Sequence, residues 1–441
     1  MILLRPVAAL LVLAAATAGA ADVPAPAGPA KAGAALDLAT AVRLALDRNE
    51  VPQIAAARIS RAEATVARAR AALLPRLTLG GSLSTAAVNE FPAGGAANET
   101  AAWNASAQLT FSASATANLR ASRFSLSAQL HDSQQLRRAL AFSVVDTYLT
   151  ILASEAQVGA AERRLGVSQS SVADAKARLQ AGLSTRTDVT RAELEEAQAQ
   201  LSITQARRAV TASRLALADL IVSNLDGPLT APEAVPVPER EGQVLFNLAI
   251  LYRPDLKALQ FREAAAEQGE RAAYGRYVPT LAVRAEAGQT PSNAPTALSD
   301  DQTQVTVSLL ASWDVWDGGD REGAIDQARA ERRETSLTRT GQLRGLSKDL
   351  LTALADLDTA EAALAQAQAR DRLARANAEE VRARYKQGLA TALEDADAIS
   401  GQFEAESGLV SSRLDLDRSR LAIRRLVGLW PLSDREPESQ P

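Results

Sequence analysis

A hexapeptide that occurs twice decides how this chain is organised. Residues 178–183 read RLQAGL and residues 384–389 read RYKQGL, so the two copies align glycine with glycine. Another pair of anchors, Leu74-Pro75 and Val278-Pro279, is separated by nearly the same number of residues. Two motifs that lie far apart, each with a second copy at almost the same distance along the chain, indicate an internal duplication.

Each predicted copy has the same order of elements: an opening helix, two short strands, a very long helix, a glycine turn and a returning helix. The prolines between the copies exclude helix, so an extended linker is predicted there. The predicted boundaries are 36–223 for the first repeat (strands about 76–88 and 103–112, hairpin tip near 182), 224–242 for the linker, 243–430 for the second repeat (strands about 280–288 and 303–313, tip near 388) and 431–441 for a C-terminal tail.

The N-terminus is predicted to be a cleaved signal peptide, residues 1–20. Arg5 precedes an apolar run, and Ala18-Gly19-Ala20 supplies the small residues that a signal peptidase requires. A membrane-anchoring helix is the alternative, but the run is shorter than the roughly 20 apolar residues of a span. Residues 21–35 are predicted to be a flexible segment. No later stretch approaches 18 apolar residues, so a part that crosses a membrane has to be a β-barrel.

Composition argues against several classes of function. The 48 Lys and Arg against 52 Asp and Glu give a net charge of -4, which provides no field to attract nucleic acid. The chain has no cysteine, one histidine and one methionine, so no metal site or cofactor is predicted. His131-Asp132 lacks a nucleophile motif, and Gly318-Gly319 lacks the lysine of a phosphate-binding loop. The chain is therefore not expected to be an enzyme.

The strand segments alternate apolar and polar residues with a period of two. Such alternation over about ten residues is typical of a transmembrane strand, although a half-buried hairpin of a soluble protein shows the same pattern. Four aromatic residues lie in or beside these strands, where a membrane-interface girdle requires them: Trp103, Phe111, Trp313 and Trp316. Four strands cannot close a barrel, which takes about eight. The chain is therefore predicted to oligomerise through its sheet: two copies supply eight strands with little interior, and three copies supply twelve strands with room for a pore.

The helical segments have the dimensions of a long tube. Residues 115–180 and 321–387 are predicted to form continuous helices of roughly 100 Å each. The returning helices, 188–221 and 396–429, are only half as long. The opening helix 38–74 can stack end to end on 188–221 and complete the length. Large and small residues that recur every seven positions predict close, coiled-coil-like pairing.

These features resemble the TolC family of outer-membrane efflux and secretion channels, the outer membrane factors. The resemblance covers nearly the whole mature chain and rests on its duplicated order. It is carried by the opening segment 36–49, the helix-to-strand junction 71–75, the segment WDVWDGG at 313–319, and the two tips. The resemblance implies a mainly α trimer with a twelve-stranded β-barrel in the outer membrane, continuous with a twelve-helix α-barrel in the periplasm.

The resemblance also implies a gate at the tips. Glu394 and Asp397 correspond to acidic rings that line the periplasmic entrance and select for cations. Thr391 and Glu394 also fit a capping box, so a purely structural role for this glutamate stays open. Asp397 has no such capping position.

Neighbouring tips are expected to latch together through Asp188 and Tyr385. The arginine that the family has two positions after the second tip glycine is replaced by Ala390, and Arg186 is a candidate substitute. Four tip residues are expected to dock a periplasmic adaptor: Gly182, Leu183, Gly388 and Leu389.

The predicted function is a passive exit duct of a tripartite efflux pump or a type I secretion system. Its expected partners are two further copies of the chain, a periplasmic adaptor, an inner-membrane RND or ABC transporter, and outer-membrane lipid. The expected location is the outer membrane of a Gram-negative bacterium, with a periplasmic extension. The alternative is a periplasmic coiled-coil adaptor or scaffold, which two hairpins and two strand pairs disfavour. The scarcity of Met and His disfavours a dedicated copper or silver exporter.

Overall fold

The structure, a computed structural model, describes residues 36–87, 97–225, 227–231, 235–236, 240–289 and 303–433. The predicted signal peptide 1–20 and the segment 21–35 lie outside the described residues. So do parts of the predicted linker 224–242 and of the tail 431–441.

The described chain contains the same set of elements twice. The first set is α1 (Leu38–Arg48), α2 (Glu50–Ala71), β1 (Arg76–Ala87), β2 (Ala97–Phe111), α3 (Ala113–Gln180) and α4 (Arg186–Ile221). The second set is α5 (Gly242–Tyr252), α6 (Pro254–Tyr274), β3 (Thr280–Gln289), β4 (Thr303–Ser312), α7 (Asp320–Gln387) and α8 (Ala392–Val427). The duplication extends to length, because α3 and α7 have 68 residues each and α4 and α8 have 36 each.

The structure corrects the predicted opening helix 38–74. It is interrupted at Asn49, whose extended backbone (φ -67°, ψ 151°) separates α1 from α2. The Asn49 side chain accepts a hydrogen bond from the Val51 N–H (3.0 Å) and donates one to the Leu220 carbonyl (3.0 Å). α2 and α4 both pack against α3, while α1 lies beside α3 and α4. A buried asparagine thus caps one helix and binds the end of another.

The four strands form one antiparallel sheet in the order β1-β2-β3-β4. β2 begins at residue 97, six residues before the predicted start at 103. The two repeats meet where β2 pairs with β3, with Phe111 opposite Leu281 and Ala105 opposite Ala287. β1 and β4 are the edges, and each has a paired neighbour on only one side in the described sheet.

The strand register places most apolar residues of all four strands on one face, with Ala282 and Leu310 on the other. Leu77 lies opposite Ala107, Ala107 lies opposite Ala285, and Ala285 lies opposite Val307. Leu77 is 79% exposed and Val307 is 72% exposed. The other face is mostly polar: Thr78, Asn104, Ser106, Gln108, Thr110, Arg284, Glu286, Thr306 and Ser308. The predicted alternation therefore yields a broad apolar surface that the described chain itself leaves uncovered.

Two equivalent apolar cores lie near the middle of the long helices. The first joins α1, α3 and the ends of α4 and α8 around Tyr148, and the second joins α5, α7 and α8 around Leu350. The Tyr148 hydroxyl lies 2.8 Å from the Leu36 carbonyl and 2.6 Å from the Thr230 carbonyl. Burial raises the pKa of Tyr148 to about 12. The neutral hydroxyl thus ties residues 36 and 230 to α3.

The apolar character of α3 differs from what the sequence analysis predicted. Among the described residues, it contains an 18-residue window with a mean hydropathy of 1.3, which is long and apolar enough to cross a membrane. The expectation that no later stretch approaches this length is therefore wrong. Of that window, 44% is buried inside the described chain, and α3 supplies much of the first core. Packing in the core accounts for its apolar character.

The ends of α4 and α8 give a matched test of backbone strain. Gly428, after α8, has φ 99°, and a Cβ there would lie 2.7 Å from the Arg253 nitrogen. Its counterpart after α4, Val222, has φ 49° and is partly exposed. We expect Gly428→Ala to lower the free energy of unfolding by about 1–3 kcal/mol. Val222→Gly should leave it within about 1 kcal/mol of the parent. Urea unfolding of the detergent-solubilised protein measures both, and equal losses would contradict this account.

Candidate functional site

The two hairpin tips are built alike. α3 and α7 each end at a glycine with positive φ, Gly182 (71°) and Gly388 (78°). The following N–H then bonds back to the helix, from Leu183 to the Arg178 carbonyl and from Leu389 to the Arg384 carbonyl, both 2.8 Å. This helix-ending turn exposes the leucine side chains, 75% at Leu183 and 68% at Leu389. Each tip therefore presents one apolar side chain to solvent.

A capping box starts each returning helix. At α8, the Glu394 N–H donates to the Thr391 hydroxyl (3.2 Å), and the Thr391 N–H donates to the Glu394 carboxylate (2.6 Å). The backbone bond from Thr391, followed by that from its hydroxyl, holds the pKa of Glu394 below its usual range. Glu394 is therefore an exposed, ionised carboxylate with a capping duty, as the sequence pattern allowed.

Asp397 is also exposed, and it makes no hydrogen bond or ion pair within the described chain. Asp395, between the two predicted gate residues, behaves differently. It is only 4% exposed and accepts a hydrogen bond from the Ser171 hydroxyl (2.9 Å). Its second carboxylate oxygen has no described hydrogen-bond donor. A carboxyl group is thus buried between α3 and α8, directly beside the exposed acidic pair.

The predicted latch residues make contacts within one chain. Tyr385 is buried, and the Arg178 guanidinium lies 4.7 Å from the centre of its ring. Asp188 caps α4 by accepting from the Thr185 N–H (2.9 Å), which is the main cause of its lowered pKa. Arg186 is exposed at the first position of α4. The described chain therefore joins Tyr385 to Arg178, and a latch between copies stays a prediction.

The two hairpins meet along a polar seam between α3 and α8. Arg164 of α3 forms an ion pair with Glu195 of α4 (2.7 Å), and both side chains are about nine-tenths buried. Ser400 donates to the same glutamate (3.3 Å). The Arg164 guanidinium also lies 4.8 Å from the centre of the Phe403 ring. One arginine thus links three helices.

Further from the tip, a second ion-pair cluster crosses the same seam. Glu406 of α8 is buried and binds Arg163 of α3 (2.5 Å) and Arg375 of α7 (3.1 Å). Arg375 also binds Asp371 (2.9 Å). We call the contacts of Arg164, Glu195, Ser400 and Glu406 the inter-hairpin seam. The buried Glu406 has an ion partner, Arg163, from the other hairpin, and the buried Glu195 accepts a hydrogen bond from Ser400 of the other hairpin. These contacts make the relative position of the hairpins specific.

Sequence reasoning missed these seam residues. Glu195 lies on the face of α4 that packs on α3, between Ala192 and Ala199, and that position was a detectable signal. Arg178 was also detectable, because it starts the duplicated hexapeptide. Asp395 gave no signal, because its neighbours Glu394 and Asp397 have the same charge and are exposed.

The outer membrane efflux protein family matches residues 41–221 and 245–429, which are the two repeats. The chain belongs to this family. The resemblance to the TolC family, drawn from the duplicated order of elements, is confirmed. So are the outer-membrane location and the efflux-channel class of function.

Alignments with similar proteins cover most of this outer membrane efflux protein. The pyoverdine export outer membrane protein OpmQ of Pseudomonas putida is 26% identical over 421 residues, which is 90% of this chain and 87% of OpmQ. The structure of CusC is 18% identical, with a TM-score of 0.81 over 89% of this chain and 92% of CusC. That of VceC from Vibrio cholerae is 20% identical, with a TM-score of 0.78 over 89% and 96%. These structures confirm the mainly α fold class.

A double substitution tests the buried ion pair that joins α3 to α4 of this family member beside the inter-hairpin seam. Arg164→Met leaves the Glu195 charge buried without its ion partner, so we expect a loss of about 3–5 kcal/mol in the free energy of unfolding. The double variant Arg164→Met/Glu195→Leu removes both charges and should recover most of that loss. Urea unfolding midpoints measure the three proteins. If the double variant is as unstable as Arg164→Met, the unpaired charge is not the cause.

Proposed function

We propose that this outer membrane efflux protein works as a homotrimer that forms a passive exit duct. The observation that carries the proposal is the four-stranded sheet, with its continuous exposed apolar face and its two edges without a described neighbour. In a membrane, every backbone donor and acceptor requires a partner. Pairing of β4 of one copy with β1 of the next satisfies both edges. Three copies then close a twelve-stranded barrel around a pore.

The faces of the sheet support this arrangement. The apolar face meets outer-membrane lipid, and the polar face lines the pore. Trp103 and Phe111 share the apolar face and are eight residues apart, roughly 26 Å along a strand. Because the strands of such barrels tilt by about 35–45°, this distance spans roughly 20 Å of height, which is most of the apolar band of about 25 Å that carries aromatic residues at both rims. Trp313 and Trp316 follow β4 at the same end of the sheet as Phe111 and are 57% and 85% exposed. These four residues form the interfacial girdle.

The helices continue the duct into the periplasm. Twelve helices from three copies surround one passage, and the tips close its far end. There the exposed carboxylates of Asp397 and Glu394 make stacked rings that attract cations. The duct has no energy source of its own. An RND or ABC transporter of the inner membrane drives transport through a periplasmic adaptor.

The tips are the proposed adaptor-docking surface. Leu183 and Leu389 are apolar, exposed and held by rigid turns at Gly182 and Gly388. An adaptor that covers these leucines stabilises an open arrangement of the hairpins. A latch between copies, made by Asp188, Arg186 and Tyr385, holds the closed one.

Single-channel recording in a planar bilayer tests the duct. Mature protein extracted from outer membranes should insert and give small, cation-selective conductance steps, because the acidic tips restrict the passage. Chemical cross-linking of the same sample should yield a trimer. A protein that remains soluble without detergent and gives no steps would contradict the duct and favour a coiled-coil scaffold.

Substitution of the gate carboxylates tests the entrance. Asp397→Asn removes three charges from the ring, so block by a trivalent cation such as hexamminecobalt should weaken by about tenfold or more. Glu394→Gln tests the second ring: it removes three further charges but keeps a residue that can cap α8, so block should weaken without loss of the helix start. Current block at rising cation concentration measures both variants. If block by the Asp397→Asn protein is unchanged, Asp397 does not line the entrance.

A further inference from the structure

The junction between the helices and the sheet is basic in the first repeat. α2 has no acidic residue after Glu63, and α3 has none before Asp132. Within these limits the two helices carry four exposed arginines: Arg68, Arg70, Arg120 and Arg123. None of their guanidinium groups forms a hydrogen bond or an ion pair within the part of the chain that the structure describes. This end of the first repeat therefore presents uncompensated positive charge.

Arginines at the same junction of the second repeat have carboxylate partners. Arg271, in the last turn of α6, forms an ion pair with Glu267 (2.6 Å). Arg276, which precedes β3, forms an ion pair with Asp320 at the start of α7. The two repeats share their order of elements, so this difference comes from the side chains and not from the fold. The cations that are available to an outside ligand lie in the first repeat.

The first turn of α3 adds backbone donors to this positive charge. Its N-cap residue, Ser112, makes no side-chain capping bond, and the first turn contains no acidic residue. The free N–H groups and the helix dipole at such an end attract anions. α7 differs, because Asp320 and Glu322 lie in its first turn and Asp317 accepts a hydrogen bond from the Gly319 N–H (3.3 Å). The start of α3 is therefore the one of the two that favours an anion.

Arg120 and Arg123 lie on the outer face of α3. Residues separated by whole heptads share a face of a supercoiled helix. Arg120 precedes Tyr148 by 28 residues, and Arg123 precedes Ile151 by 28. Tyr148 and Ile151 belong to the first core, in which α1 and the segment around Val235 cover α3. Such a layer inside the proposed duct would fill it, so the covered face is the outer one.

Both arginines lie just below the apolar face of the sheet. Phe111, 53% exposed, ends that face two residues before α3 begins. Arg120 and Arg123 follow Ala113 by roughly 10 and 15 Å along the helix axis. Their side chains lean towards the N-terminus of α3, which is the end nearer the sheet. A headgroup layer of about 5–7 Å borders the hydrocarbon, and the field of its charges extends about 8 Å further. The two guanidinium groups are therefore within reach of that field.

From these observations we propose that Arg120 and Arg123 bind the phosphate of an anionic glycerophospholipid in the periplasmic leaflet of the outer membrane. The proposal rests on the insertion of the sheet proposed above. Arginines three residues apart are neighbours on a helix surface, and the planar guanidinium group suits phosphate oxygens. Phe111 lies where the acyl chains of the same lipid contact the sheet. One such lipid in each copy fixes the depth at which the duct sits in the membrane.

Native mass spectrometry of the mature protein in detergent tests the lipid site. With phosphatidylglycerol added, the parent protein should retain one lipid per copy and roughly fivefold less phosphatidylcholine, whose headgroup has no net charge. Arg120→Gln/Arg123→Gln should lower retention of phosphatidylglycerol by roughly fivefold. Arg191→Gln/Arg208→Gln is the matched control, because it removes two exposed arginines of α4, away from the sheet. It should retain the lipid as the parent does.

The outcomes separate the lipid site from the duct. Equal retention of phosphatidylglycerol by the two double variants, or equal retention of both lipids by the parent, would overturn the lipid site. Loss of the lipid when an equal concentration of inorganic phosphate is added would assign a small-anion site and overturn it too. Insertion into vesicles of phosphatidylethanolamine and phosphatidylglycerol reports on the duct. A protein that inserts and conducts ions, without arginine-dependent lipid retention, would contradict the lipid site alone. A protein that stays in solution beside the vesicles would contradict both.

Discussion

The structure depends on one constraint, the hydrogen-bonding requirement of the two sheet edges. β1 and β4 end a sheet of four strands, and each has one side without a described neighbour. Long exposed edges of this kind favour pairing with another chain, and in a membrane such pairing is obligatory. The exposed apolar face of the same sheet favours lipid over water. Both properties support the proposal that the sheet enters a membrane and pairs with further copies of the chain.

Below the sheet, polar contacts hold the two helical hairpins of one chain together. Inside a chain, the hairpins meet through Arg164, Glu195, Ser400 and Glu406, charged or polar groups that depend on exact partners. Buried ion pairs contribute little net stability but make one arrangement specific.

The hairpin tips show which features of the site sequence patterns predict and which they do not. Thr391 and Glu394 fit a capping box in the sequence, and the box is present. The pattern could not show that Asp395, between two exposed acids, is buried against Ser171 of another hairpin. Nor did it show that Arg178 covers Tyr385. Helix periodicity specifies which residues share a face, but the partner of that face comes from residues more than 200 positions away.

The sequence by itself determined the duplication, the fold class, the period of the strands and the length of the helices. All of these follow from local propensity and from the spacing of apolar residues. Tertiary structure decided the break at Asn49, whose side chain binds the end of α4. It also decided the join of β2 to β3, which gives four strands one apolar face, and the polar contacts that set α8 against α3. Each of these results from contacts between distant segments, for which no local pattern encodes the partner.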